Sequence, residues 1–168
     1  MCKCRTVYYL FFIVIEFLSL KSETFILLSD FREISMIDIT RELAAFCANT
    51  TYEVLPSEVT ERTKLLILDT AGIIIRARHD AESTPSLIAS VERLGLDNGK
   101  CSVLGDNVNY APTAAALVNG TLAHSLDYDD THASASLHSS APIVPAALAA
   151  AELSGASGKD LIAACVVG

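Results

Sequence analysis

Pro56-Ser57 is followed by Glu58 and Glu61, with Arg76 and Arg78 at the far end of the same segment. Acids at the start and bases at the end is the charge order that a helix dipole favours. Between them Leu65 to Leu68 and Ala71 to Ile75 read as apolar nearly all round, the pattern of a helix that others surround. Such a helix needs partners, and the remaining punctuation supplies them. Asp38 is placed to cap a short helix carrying Leu43, Ala44, Phe46 and Cys47. Ser83-Thr84-Pro85 opens another, with Leu87, Ile88, Val91 and Leu94 as its stripe and Gly95 near its end. Ala111 to about Tyr128 is alanine-rich, Pro142 and Pro145 mark the start of a helix ending around Ser154-Gly155, and Ser157 with Asp160 forms a capping-box variant for the last one. Only Cys101-Ser102-Val103-Leu104 reads as strand, and Asp106 to Tyr110 reads as loop. The expected fold class is all-α, with small Ala and Gly positions letting the last helix axes approach closely.

Hydrophobic residues make up 51% of the 168 and charged ones 19%, enough apolar material for a packed core. The net charge of -8 and pI near 4.8 exclude a nucleic-acid partner and an anionic membrane surface, both of which call for basic patches. Five cysteines without a CxxC pair suggest reduced thiols in a cytosol-like compartment rather than a disulfide framework. The expected location is cytoplasmic, with mitochondrial as the alternative. Asn49-Thr50-Thr51 and Asn119-Gly120-Thr121 match the glycosylation pattern, a short match that matters only in a secreted chain. In residues 1–35, Lys3 and Arg5 precede the apolar run Val7 to Ile15. That run is shorter than the roughly 20 residues needed to cross a membrane, and no small-x-small cleavage site follows. These residues read as an extension ahead of a helical domain spanning 36–168, with Met36 as the natural start.

Three of the four histidines, His124, His132 and His138, lie near Asp127, Asp129 and Asp130. If the preceding helix persists, His124, Asp127, Tyr128 and Thr131 share one side while Asp129 and Asp130 turn away. The second pair then caps a helix or meets an arginine. Asp127 and Thr131 have no packing role on an Ala/Leu helix and are candidate catalytic groups. His138, whose residue type titrates near neutral pH, is a candidate general acid or base. His124 is either a satisfied core histidine or a substrate contact, while His132 and His79 read as surface residues. By spacing alone, His124, Asp127, Asp129, His132 and His138 could also serve a metal-dependent hydrolase, although no tight HxxxH or HxH core is present.

The run from Leu117 through Asn119-Gly120-Thr121 and His124-Ser125-Leu126-Asp127-Tyr128-Asp129-Asp130-Thr131-His132 resembles the signature of the MmgE/PrpD family. Leu137-His138-Ser139-Ser140-Ala141-Pro142 and its continuation to Ala149 resemble the family's next block, and Ile39 to Arg78 its opening helices. The family contains 2-methylcitrate dehydratases and cis-aconitate decarboxylases. The resemblance implies the N-terminal part of a helical domain, a smaller α/β domain over the site, a homodimer, and neither metal nor organic cofactor. It implies a lyase acting on a small di- or tricarboxylate, in which Asp127 and Thr131 line the site and His138 transfers the proton. Ser139 stands where proline is usual, which loosens the backbone beside His138. Family members are much longer, so the chain is expected to be incomplete at its C-terminus and inactive alone. No Lys or Arg lies between Lys100 and Lys159, and a polycarboxylate needs cations from elsewhere. The rival readings are a non-catalytic helical remnant able to dimerise and the metal-dependent hydrolase. Deleting residues 1–35 is expected to lower the thermal unfolding midpoint by less than the roughly 4 °C that about 1 kcal/mol is worth at this size; a larger fall would assign them to the core.

Overall fold

The computed structural model describes residues 36–168, with six α-helices and one small sheet among them; the reading of residues 1–35 lies outside these. Two compact units divide between Ala45 and Phe46, within α1 (Met36–Asn49). Of the first unit, Met36–Ala45 is described and is helical. Asp38, expected as a cap, lies inside α1 rather than before it. No described helix is long and apolar enough to cross a membrane.

The second unit is built on α2 (Ser57–Asp80), which follows Pro56 and carries Glu58 in its first turn and Arg78 in its last. The all-round burial expected of α2 is not found. Thr60, Thr63, Thr70, Ile73, Ile74 and Ala77 are buried, whereas Leu65, Leu68 and Ile75 are exposed. The three threonines fit the buried face because each hydroxyl donates to the carbonyl one turn back, Pro56, Val59 and Leu66 respectively, leaving the methyl to pack. The helix α3 (Thr84–Arg93) has proline in its first turn and turns its Val91 into the core. Leu94, assigned to its stripe, is exposed; Leu96 packs against the core instead. The chain reverses at Gly95, whose φ of 68 is the left-handed conformation glycine adopts without strain.

The strand-like segment is shorter than expected and has a partner that the sequence reading left as loop. β1 (Cys101–Ser102) pairs antiparallel with β2 (Asn109–Tyr110), Cys101 opposite Tyr110. Tyr110 accounts for the second strand: its ring is buried and its hydroxyl donates to Asp106 Oδ2 at 2.9 Å, an oxygen that Arg78 also contacts at 2.9 Å. Burial and the bond to Asp106 push the Tyr110 hydroxyl up to about 12. Burial also pushes the Asp106 carboxyl up, but its bonds from Arg78 and Tyr110 outweigh this and hold it below the usual range. Gly99 is required here, since a Cβ would lie 2.1 Å from the Tyr110 carbonyl oxygen.

Three further helices complete the unit: α4 (Pro112–His124), α5 (Ser140–Ser154) and α6 (Gly158–Val167). The Ser157–Asp160 capping box opens α6 as expected, and α5 ends at Gly155 with φ of 67. α4 packs more extensively on α5 than any other pair of elements, and small residues permit it. A Cβ on Gly120 would lie 3.4 Å from the Ala141 carbonyl oxygen. Pro145, inside α5, has no N–H to offer that same carbonyl one turn back. Asn119 ties α4 to the sheet: its side chain accepts from the Leu104 N–H and donates to the Ser102 carbonyl, both at 2.9 Å. It is buried, so its match to the glycosylation pattern describes no accessible acceptor. Asn119→Ala is expected to destabilise the chain by about 1–3 kcal/mol for each backbone group left unpaired, measurable as a lower denaturation midpoint in urea; an unchanged midpoint would show that this tie is dispensable.

Candidate active site

α4 does not continue to Tyr128. Ser125 donates its N–H to the Leu122 carbonyl, Asp127 donates to His124, and Asp127 takes a left-handed φ of 56. Among residues with a Cβ, aspartate is one that tolerates this conformation. The reversal throws the following residues back over the end of α4, and the single helical face expected for His124, Asp127, Tyr128 and Thr131 does not form. Asp129, read as turning away, points inward with its side chain 1% exposed. Asp130 is structural, as expected: it accepts from the Ser140 N–H at 3.1 Å and the Ser139 hydroxyl at 3.2 Å, capping α5. Tyr128 is exposed.

Asp129 collects the two histidines. His124, the last residue of α4, places Nδ1 at 3.0 and 2.9 Å from the two carboxylate oxygens. His138, just ahead of α5, places its Nδ1 at 3.4 Å from Oδ2. That spacing suits an ion pair but not a hydrogen bond, and the buried Nδ1 of His138 has no hydrogen-bond partner. The rings stand edge to face, centroids 4.9 Å apart and planes at 65°. The hydrogen bond and the charge of Asp129 raise the His124 pKa, with a lesser push from Asp127.

Both imidazoles open on one cleft of about 820 Å³. Its walls are mainly small or apolar, including Ala116, Leu117, Gly120 and Pro142, with the Thr121 and Ser125 hydroxyls among them. Ser83, at the head of α3, lies 3.3 Å from Ser125 through their hydroxyls and closes one side. A carboxylate backing two imidazoles at an apolar opening can hold, deliver or accept a proton. Asp127 is exposed, yet a carboxylate oxygen of it, an oxygen of Asp129 and a nitrogen from each of His124 and His138 all lie within 4.8 Å of one another. Those four could also hold a divalent ion, although the 2.9 Å contact of His124 with Asp129 is a direct hydrogen bond that needs none. Thr131 is exposed, without a side-chain hydrogen bond among the described residues. His132 lies apart from the cluster, its Nδ1 accepting from the Ala135 N–H at 3.2 Å, and His79 is exposed.

Sequence reasoning named Asp129 only as a possible metal ligand and otherwise turned it away from the site. The available signal was propensity: Asp127, Asp129, Asp130 and Thr131 all disfavour a helix interior, so the helix should have been ended before them.

The sequence profile described as the MmgE/PrpD N-terminal domain matches residues 41–168. A cis-aconitate decarboxylase-like protein of Aspergillus oryzae is 34% identical over 140 residues, 78% of this chain and 28% of that protein. A cis-aconitate decarboxylase of Aspergillus terreus is 34% identical over 137 residues, 77% of this chain and 27% of its own length. The chain thus spans little more than a quarter of these relatives. No solved structure is significantly similar to it.

A raised His124 pKa ties stability to pH. The protonated form gains the Asp129 contact on folding, so its contribution is fully present below the ordinary value of 6.5 and is lost as pH rises through the higher folded value. The gap in unfolding midpoint between the chain and its His124→Gln variant is expected to be widest below pH 6.5 and to narrow above it. A gap that grows with pH would contradict the assignment.

Proposed function

The chain belongs to the MmgE/PrpD family, and on that premise we propose that it carries the proton-transfer part of a lyase site for a small di- or tricarboxylate. The observation that carries this reading is the pair of imidazoles around one buried carboxylate, open to a single cleft. Losing CO2 from a cis-aconitate-like acid leaves an electron pair that must be protonated, and dehydrating a 2-methylcitrate-like acid needs a proton removed from carbon and another given to the leaving hydroxyl. Each needs a placed acid or base. The names of the Aspergillus relatives favour decarboxylation.

In this reading His138 moves the proton, Asp127 and Thr131 orient it or the substrate, and His124 meets a substrate carboxylate. Among the described residues no Lys or Arg lines the cleft, so the remaining carboxylates are met by cations from outside them. The complete enzyme is a homodimer that works without metal or organic cofactor. The four donors within 4.8 Å favour the metal-dependent hydrolase as the alternative.

The test is a paired assay. The purified 168-residue chain is expected to release no CO2 from cis-aconitate and no water from 2-methylcitrate. The Aspergillus terreus enzyme carrying His→Ala at the position matching His138 is expected to lose about 10²–10⁴-fold in turnover. Turnover by the short chain would contradict its dependence on further cations, and an unimpaired variant would remove His138 from the reaction. Stoichiometric metal with chelator-sensitive turnover would favour the hydrolase.

A further inference from the structure

We propose that Asp129 is the positioning residue of this site, holding both imidazoles with Nδ1 turned inward so that His124 and His138 present Nε2 to the same cleft as a paired acid and base. The catalytic meaning of this rests on the lyase reading; the placement of the rings does not.

The Asp129 carboxylate is shut away from water, and the contacts it makes are with the two Nδ1 atoms. No lysine or arginine among the described residues lies within ion-pair distance of it. A buried carboxylate is tolerated when partners replace its hydration, so the imidazoles are what keep it in place, and it keeps them. An ionised carboxylate only accepts hydrogen bonds. His124, at 2.9 and 3.0 Å from its two oxygens, must therefore carry its proton on Nδ1, which leaves Nε2 to exchange protons with the cleft. The His138 Nδ1 faces the same carboxylate from 3.4 Å, buried and unbonded. Two oxygens offer enough lone pairs for both histidines, and this carboxylate is the acceptor that faces the His138 Nδ1. With each ring held by Nδ1, one proton can pass through the site without either ring losing its orientation. The edge-to-face rings, 4.9 Å apart, line one cleft and are close enough for their outer nitrogens to serve two positions on one small molecule.

Nitrogen-15 NMR of the imidazoles in the 168-residue chain tests this directly. In the neutral forms Nδ1 is expected to be the protonated nitrogen of both His124 and His138, whereas free imidazole side chains favour Nε2–H. Asp129→Asn is expected to shift both toward the free pattern with helical circular dichroism retained. Nε2–H signals in the unaltered chain would overturn the proposal, as would tautomers indifferent to Asp129→Asn. The wild-type spectrum decides by itself if the variant fails to fold. In an active MmgE/PrpD enzyme, the matching Asp→Asn change is expected to lower kcat by about 10²–10⁴-fold with little change in KM. Correct tautomers with an unaffected kcat would uphold the placement of the rings and overturn the part in the reaction given to Asp129.

Discussion

A carboxylate stripped of water has to be paired, and at Asp129 the pairing draws the end of one helix to the start of another. His124 closes α4 and His138 stands just before α5, so the ring contacts of Asp129 are also a tie between the two helices that pack most extensively. The neighbouring aspartate works on the same junction from the other side. Asp130 places a negative charge on the first turn of α5, where the N–H groups are unpaired. Two adjacent acids thus do different work: one fixes the helix and the other fixes what the helix presents.

That junction depends in turn on backbone proximity. Gly120 leaves room for the Ala141 carbonyl, and Pro145 frees that carbonyl from its usual helical donor. A Cβ at Gly120 would already touch that carbonyl, so the two helices stand about as close as small side chains allow. On the far side of α4, the buried amide of Asn119 joins the helix to the small sheet through both of its polar atoms. The position of the site is therefore set by small and polar residues as much as by large apolar ones.

This explains which features could be read from residue order. Helix ends with chemical markers were legible: Pro56, the Pro85 turn, Gly155 and the Ser157–Asp160 box all mark the boundaries expected of them. The crowding of histidines and aspartates in a short stretch was legible too, and four of them do lie together. The inward member of that stretch was not. Extending α4 through Asp127 carried a 3.6-residue period past a left-handed residue, and a single such residue reassigns every side chain after it. The face of α2 was misread for a related reason. Its threonines hide their hydroxyls against the helix backbone, and composition alone does not reveal which side will be covered.

Charge separates the two tasks that a polycarboxylate lyase must perform. Of the acids between Lys100 and Lys159, Asp106 is engaged by Arg78, Glu152 by the Ser102 N–H, Asp130 by the head of α5 and Asp129 by His124. Asp127 remains as the exposed carboxylate at the edge of the cluster. These contacts stabilise the acids, but only Arg78 cancels a charge outright, and the charge of Asp129 is cancelled only when an imidazole beside it is protonated. Protonation of His124 adds a positive charge at the cleft, but the adjacent carboxylate offsets most of it at any distance beyond the first contact. Under the lyase reading such a surface orients one carboxylate and handles one proton, and it cannot by itself hold a molecule carrying two or three charges. Under the same reading, proton transfer belongs to the segment from His124 to His138, and anion binding to whatever cations are brought across its cleft.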